Sequence, residues 1–493
     1  MLSSRTLFVL AGPTIFLFML FLLEPPVGMS DSAYAVLAST IWIAIWWITE
    51  AVPIPVTSLL PLVLFPLCNI MPIDLVAESY SKPIIFLFLG GFLIALAMEK
   101  WDLHKRIALT VISRSGTNMR RVLLGFMVAT WFLSMWISNT ATVVMMLPIA
   151  LSIIFQFDNF KVKSGEGTAG AEVFGKALVL SLAYSASIGG MATLVGTPTN
   201  LIFAESVHDF YGVQIPFDQW MWIGLPVSVV LLCILFFYLT RVYFNISKRT
   251  VKGAREFLQA EMKVLGSVKP EEKWVLAIFS LVAVAWVTRR YIITPFFPAV
   301  NDTNIVLIGA ILLFLIPAPS NPGKRIMDWK TGLKVPWGVL ILFGGALSVA
   351  SGFERSGLTI WIGDQLGLLT MVPYWLILLI VVAVINFLTE ITQNMATCTL
   401  MMPIMAAFAL VLDVHPFGLM TAAAIASSCA FMLPVATAPN AVVFGSGLIR
   451  IKDMARAGIM MNILSIIIVT FFIYFLFPYI WGIDLLSFPE MMK

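Results

Sequence analysis

The chain has 493 residues, of which 60% are hydrophobic and only 11% charged, with a formal net charge of +4; its mean hydropathy is +0.98. Soluble proteins carry about a quarter charged residues, so a soluble enzyme or binding domain is excluded. The small positive excess gathers in short loops, which marks membrane orientation rather than a nucleic-acid partner.

Each apolar run of ~20 residues is long enough to cross a bilayer as a helix, and the fold class expected is an all-α polytopic membrane protein. Spans are expected at 6–23, 33–49, 53–70 and 83–98. The first runs directly into Glu24-Pro25-Pro26 without a small-residue cleavage site, so it reads as a retained span and not a signal peptide. Residues 99–121 are rich in charge. Apolar sequence returns at 122–157 but is broken at Ser138-Asn139, leaving halves too short to cross alone, the pattern of a re-entrant hairpin. A polar stretch at 158–176, with Gly165, Gly167 and Gly170, reads as a loop. The span at 177–207 is broken at Gly196-Thr197-Pro198-Thr199-Asn200, and a further span covers 219–241.

Residues 242–273 are the most soluble part, with Lys248, Arg249, Lys252, Arg255, Glu256, Glu261, Lys263 and Lys269, and read as an amphipathic surface helix between two halves. Spans at 274–291 and 303–317 precede a basic loop with Lys324, Arg325, Lys330 and Lys334. The second half then repeats the first, with a span at 336–352, a broken hairpin at 373–411, a broken span at 417–449 and a last span at 457–481.

Four markers recur in the same order. Ser138-Asn139-Thr140 and Gln393-Asn394-Met395 each place an asparagine nine residues before a proline, Pro148 and Pro403. Gly90-Gly91 begins 49 residues before Asn139, and Gly344-Gly345 begins 50 before Asn394. Glu99-Lys100 matches Glu354-Arg355, and Gly196-Thr197-Pro198-Thr199-Asn200 matches Ala436-Thr437-Ala438-Pro439-Asn440. Placing the basic loops on the cytoplasmic side puts the amino terminus inside and the carboxyl terminus outside. It also sends the two hairpins in from opposite faces, giving about 11 transmembrane helices plus two re-entrant hairpins in an inverted repeat. Arg289 and Arg290 fall outside and are expected to snorkel.

In hydrocarbon a helix is interrupted only beside a cavity. The interruption exposes N–H groups that bind anions and frees carbonyls that, with Asn and Ser/Thr oxygens, suit sodium. Pro198 and Pro439 each remove a donor and hold their helices open. Neither hairpin tip nor either broken helix contains Arg or Lys, so a dianion held there depends on co-bound cations. Importing a dianion against an inside-negative potential costs about 4.6 kcal/mol per 100 mV, which two monovalent cations cancel.

Other residues attract plainer readings. Cys68, Cys233, Cys398 and Cys429 sit in apolar segments as packing residues. His104, His208 and His415 fall in loops or interfaces, and no metal other than sodium and no cofactor is expected. Glu50 and Glu390 lie at membrane depth, each after a threonine; proton coupling through Glu390 competes with a helix-capping role. No nucleophile–base or metal constellation supports a membrane enzyme.

At these residues the chain resembles the divalent anion/sodium symporter family of di- and tricarboxylate and sulfate transporters. The resemblance is carried by Trp47-Ile48-Thr49-Glu50-Ala51, Phe86-Leu87-Phe88-Leu89-Gly90-Gly91, Ser138-Asn139-Thr140, Gly196-Thr197-Pro198 and Leu433-Pro434-Val435. It implies a homodimer in the cell membrane whose transport domain moves against a scaffold as an elevator, with scaffold spans at 1–82, repeats at 83–218 and 336–449, linker spans at 219–335 and a last span at 450–493. It implies one sodium site at Ser134, Ser138, Asn139 and Gly196, and another at Thr389, Thr392, Asn394 and Ala436. Substrate is expected at Ser138, Asn139, Thr140, Thr197, Pro198, Gln393, Asn394, Met395 and Thr437. The second motif departs from the family's Ser-Asn-Thr, since Gln393 and Met395 replace two small hydroxyls. The implied activity is sodium-coupled import of a C4-dicarboxylate. A sodium-independent exchanger, or sodium-coupled transport of sulfate, citrate or 2-oxoglutarate, is the alternative.

Overall fold

A computed structural model of the chain describes residues 4–163, 169–247, 250, 253–365 and 372–492. Among these residues there is no sheet, only isolated bridges joining Asn118 to Thr250 and Pro317 to Arg325. Helices satisfy their own backbone within one segment, as a bilayer requires. Among the described residues ten helical segments are long and apolar enough to span a membrane, and four shorter apolar ones accompany them, Ile54–Leu67, Asn139–Phe155, Asp302–Leu315 and Pro416–Ser427.

The N-terminal part holds α1 (Ser4–Leu22), α2 (Asp31–Thr49), α3 (Ile54–Thr57), α4 (Leu60–Leu67) and α5 (Ile73–Glu78). The first repeat holds α6 (Pro83–Lys100), α7 (Leu103–Ser115), α8 (Met119–Ser134), α9 (Asn139–Lys163), α10 (Ala169–Gly190) and α11 (Pro198–Tyr211). Then come α12 (Phe217–Phe237), α13 (Ala254–Leu265), α14 (Pro270–Thr288), α15 (Asp302–Leu315) and the single turn α16 (Trp329–Gly332). The second repeat holds α17 (Trp337–Ser356), α18 (Leu358–Gln365), α19 (Tyr374–Ile391), α20 (Asn394–Val411), α21 (Pro416–Ser427) and α22 (Ala438–Phe444). The chain closes with α23 (Ile451–Phe471) and α24 (Phe477–Trp481), joined by a π-helical turn.

The helix breaks fall at the polar motifs, but several other expectations are revised. The span expected at 53–70 is divided into α3 and α4, because Pro53, Pro55, Pro61 and Pro66 remove four backbone donors and the Ser58 carbonyl turns to accept from the Tyr80 hydroxyl. The loop expected at 158–176 is helical at both ends, since α9 runs to Lys163 and α10 starts at Ala169, so Gly170 lies within a helix; Gly165 and Gly167 lie outside the described residues. Charge marked those ends as outside the membrane, which does not stop a helix from continuing into water. In 242–273 the amphipathic surface helix is α13 alone, with Leu258 buried and Arg255, Glu256 and Lys263 exposed, while 242–243 end a π-helical turn after α12 and 270–273 already belong to α14; Lys248, Arg249 and Lys252 lie outside the described residues. The basic residues Lys452 and Arg456 belong to the first turns of α23. In the second hairpin both halves reach 18 residues, so length alone does not separate a hairpin arm from a span.

Two apolar cores organise the helices. The smaller joins α1, α2 and α4 to α17 and α18 through Phe16, Ile43, Trp47, Phe65, Val349 and Leu358. The larger takes in most of the remaining helices. The repeated glycine pairs serve close crossings: a Cβ on Gly90 would lie 2.7 Å from Val306 of α15, and one on Gly345 would lie 2.4 Å from the Ser58 carbonyl. The repeats interlock, since α9 packs on α10 and also on α22, while α20 packs on α21 and also on α11.

Candidate solute site at the two hairpin tips

α8 ends at Ser134 and α9 restarts at Asn139, while α19 ends at Ile391 and α20 restarts at Asn394 after an extended Gln393. Each restart leaves amide groups of a first helical turn without an intrahelical partner. In the first tip the Ser138 hydroxyl accepts one of them, from Ala141 at 3.3 Å.

Behind each tip three oxygens converge. Ser134 Oγ is 2.6 Å from Asn139 Oδ1 and 2.8 Å from the Ala186 carbonyl. Thr389 Oγ1 is 2.8 Å from Asn394 Oδ1 and 2.9 Å from the Ser427 carbonyl. A hydroxyl has one proton and donates to one acceptor at a time, so each trio is an oxygen cluster with a single hydrogen. Such a donor set suits a hard monovalent cation. The first trio is closed by glycines: a Cβ on Gly190 would lie 2.5 Å from Asn139 Oδ1, and one on Gly196 would lie 2.5 Å from the Gly190 carbonyl. Thr392 stands apart from the second trio, its hydroxyl donating to the Leu388 carbonyl at 2.8 Å and bonded to the Thr397 hydroxyl.

The broken helices are stapled by asparagines. Asn200 Nδ2 donates to the carbonyls of Thr193, Gly190 and Met191 at 2.7, 3.1 and 3.3 Å. Asn440 Nδ2 donates to the carbonyls of Leu433 and Ala430 at 3.0 and 3.1 Å. Both asparagines are fully buried.

Between the tips lies a cavity of about 340 Å³, small on the ~300–1,000 Å³ scale of ligand sites. It brings together Ser138, Asn139 and Thr140 with Gly196, Thr197 and Pro198, and faces them with Gln393, Asn394, Met395, Ala436 and Thr437. Phe88 and Phe92 of α6 and Val339 of α17 form an apolar wall. None of the residues lining it is acidic, basic or histidine. Ser134, Thr389 and Thr392 lie behind the cavity wall and do not line it.

Two acidic residues singled out in the sequence have defined partners. Glu50, exposed at the left-handed end of α2 (φ 47°), accepts from Gln393 Nε2 at 2.6 Å. That bond fixes the orientation of the Gln393 amide, because a carboxylate accepts only from its nitrogen. Glu390 accepts four bonds, from the amides of Phe431, Met432 and Leu433 at 2.7, 2.9 and 3.0 Å and from Asn462 Nδ2 at 2.8 Å. It ties down the unwound linker between α21 and α22, whose residues 431–433 lie outside both helices; the N-cap of α22 is Thr437. The histidines lie outside the cavity, and the described residues contain no group of three or more His, Cys, Asp or Glu able to hold a metal.

Sequence reasoning did not single out Gly190, Asn200 and Asn440, or the carbonyls of Ala186 and Ser427. The asparagines had a usable signal, each three residues after the motif threonine (Thr197 and Thr437). The carbonyls had none, since their side chains are irrelevant to the contact.

The family model for the sodium:sulfate symporter transmembrane region matches residues 4–483. The sodium-dependent dicarboxylate transporter SdcS of Staphylococcus saprophyticus is 45% identical over 479 residues, covering 97% of this chain and 92% of the relative. SdcS of Staphylococcus aureus strain USA300 is 44% identical over 486 residues, covering 98% and 93%. Among solved structures, the Neisseria gonorrhoeae efflux pump MtrF aligns with a TM-score of 0.56 at 14% identity, covering 97% of this chain and 96% of that one. The Alcanivorax borkumensis YdaH transporter aligns with 0.54 at 11% identity, covering 83% and 88%. At those identities the structures speak to fold alone. The match across nearly the whole chain, joined to the duplicated hairpin tips, makes this protein a member of the divalent anion/sodium symporter family.

Proposed function

We propose that the protein imports a small divalent anion, a C4-dicarboxylate such as succinate, malate or fumarate, coupled to sodium. The observation that carries this reading is the pair of matching oxygen clusters flanking a cavity lined by no charged side chain. A dianion there meets hydroxyls, amides and helix-start N–H groups, with no fixed cation among the lining residues to balance it. Sodium ions at the two clusters supply that balance, so anion binding depends on prior sodium binding, which is coupling. Two sodium ions cancel the roughly 4.6 kcal/mol per 100 mV that a dianion alone would cost. The names of the SdcS relatives support the same substrate class.

The first site comprises Ser134, Ser138, Asn139 and Gly196, and the second Thr389, Asn394 and the Ala436 carbonyl, with Thr392 supporting the second through Thr397. Substrate meets Ser138, Asn139, Thr140, Thr197, Pro198, Asn394 and Thr437, with Gln393 and Met395 setting selectivity. The protein acts as a transporter and not an enzyme. It works as a homodimer in the plasma membrane with its amino terminus cytoplasmic and its carboxyl terminus outside, and its transport domain moves as an elevator.

The test is radiolabelled succinate uptake into initially empty proteoliposomes, with and without an inward sodium gradient. Sodium-dependent accumulation is expected, and Asn139→Ala or Asn394→Ala abolishes it while the protein still folds. Uptake only into vesicles preloaded with succinate identifies an exchanger. Sodium-driven uptake of sulfate, citrate or 2-oxoglutarate but not succinate moves the substrate assignment.

A further inference from the structure

A second cavity, also of about 340 Å³, lies away from the hairpin tips, between α11 and the starts of α6 and α15. Glu205 of α11 lines it. That side chain is only 6% exposed, and its Oε1 has no hydrogen-bond partner. The contrast with Glu390 is direct: both carboxylates are buried, but Glu390 accepts four bonds and Glu205 Oε1 accepts none. A buried carboxylate without compensation costs several kcal/mol, and the structure lowers that cost by neutralising it.

Among the described residues no cation forms an ion pair with Glu205. Lys82, at the start of α6, is the cation nearest in kind, but it is paired with Asp209 at 3.0 Å and reaches Glu78 at 3.9 Å. Arg289, after α14, is paired with Asp302 at 2.8 Å. Asp218 of α12 is buried with both oxygens unpartnered. On the α17 side Glu354 and Arg355 balance each other in charge beside Lys82 and Asp209. His208, one turn after Glu205, has a buried Nδ1 without a partner. Among the described residues the region therefore holds more acid than base, and Glu205 Oε1 is a buried oxygen of a cavity-lining carboxylate with neither a hydrogen bond nor an ion pair, whereas Asp302 is paired with Arg289.

We propose that the cavity against Glu205 takes up a monovalent cation, a proton or a sodium ion, with Glu205 as its anionic ligand. It is a cation site separate from the two hairpin clusters, which it neither shares residues with nor requires.

Thermal unfolding of the purified full-length protein in detergent tests it, comparing wild type with Glu205→Gln between about pH 5 and pH 8, in choline chloride and in sodium chloride. In choline, the wild-type unfolding temperature is expected to fall by at least ~2 °C as pH rises, because the uncompensated charge then appears. Glu205→Gln, neutral at every pH, removes that fall. Sodium restoring the wild type at high pH, beyond its effect on Glu205→Gln, identifies sodium as a ligand; a fall that sodium leaves untouched identifies the proton. Equal pH and sodium responses in the two proteins overturn the proposal. If Glu205→Gln does not accumulate, a wild type in choline whose stability is flat over this range overturns it without a variant. Loss of the hairpin reading shows up separately, as an absence of any sodium response in Glu205→Gln.

Discussion

Glu390 and the Gln393–Met395 pair show how a single side chain decides between architecture and selectivity. Glu390→Ala leaves three backbone amides and the Asn462 amide unanswered inside the protein, at about 1–3 kcal/mol each. A large loss of folded protein is expected, read as a drop in monodisperse material and in unfolding temperature. Glu390→Gln keeps an acceptor oxygen, so uptake per folded molecule should retain its sodium dependence; loss of sodium coupling in well-folded Glu390→Gln would make it a coupling residue instead. At the second tip, Met395 supplies no strong donor to a carboxylate, and Gln393 is tied to Glu50 through its nitrogen. Replacing both by small hydroxyls, Gln393→Ser with Met395→Thr, gives the second tip the donors the first already has. Succinate should then compete several-fold better against longer anions such as 2-oxoglutarate, and an unchanged competition profile refutes the assignment of selectivity to this pair.

At the scale of elements, the breaks were legible and most helix ends were not. Hydrocarbon forbids unpaired backbone, so an interrupted helix must advertise itself with small polar residues and proline, and Ser138-Asn139 and Gly196-Thr197-Pro198 do so. Outside the bilayer no such pressure acts, so the polar stretch 158–176 reads as loop although α9 continues to Lys163 and α10 starts at Ala169. The division of 53–70 was missed because four prolines in an apolar run still look like one span. The tie between Glu50 and Gln393 was beyond reach, since it joins residues 343 apart in sequence. The stapling role of Asn200 and Asn440 needed coordinates, although their shared offset from threonine was visible. Asn200→Ala strips one donor group from three carbonyls that shape the first break. Because Gly190 packs against Asn139, the damage should travel to the first proposed sodium site. Asn200→Ala is expected to weaken apparent sodium affinity about tenfold in uptake assays, a cost of roughly 1.4 kcal/mol, with Asn440→Ala doing the same through the second break. Sodium dependence equal to wild type in both would leave the staples purely structural.

For the whole molecule, the interlocking of the repeats determines how the two proposed sodium sites communicate. One arm of each hairpin packs on the broken helix of the other repeat, α9 on α22 and α20 on α11, and Thr199 and Ser428 bond across the junction at 2.7 Å. The cavity takes its wall from all four breaks, so an anion bound there feels the charge in both oxygen clusters at once. Binding free energies are reciprocal: if each sodium raises anion affinity, the anion raises the affinity of both sodium sites, and the sites are linked through it. Removing one hydroxyl, in Ser134→Ala or Thr389→Ala, therefore lowers the steepness as well as the midpoint of the sodium dependence of succinate uptake. A Hill coefficient near ~2 in the wild type is expected to fall toward ~1 in either variant, and the double variant to lose the sodium dependence of uptake altogether. Without succinate, sodium-dependent thermal stabilisation should show the two clusters responding independently, the effects of Ser134→Ala and Thr389→Ala adding to within about 0.5 kcal/mol. Non-additive effects without succinate would mean that the interlocked helices carry the coupling themselves, and that the anion reports a communication it does not create.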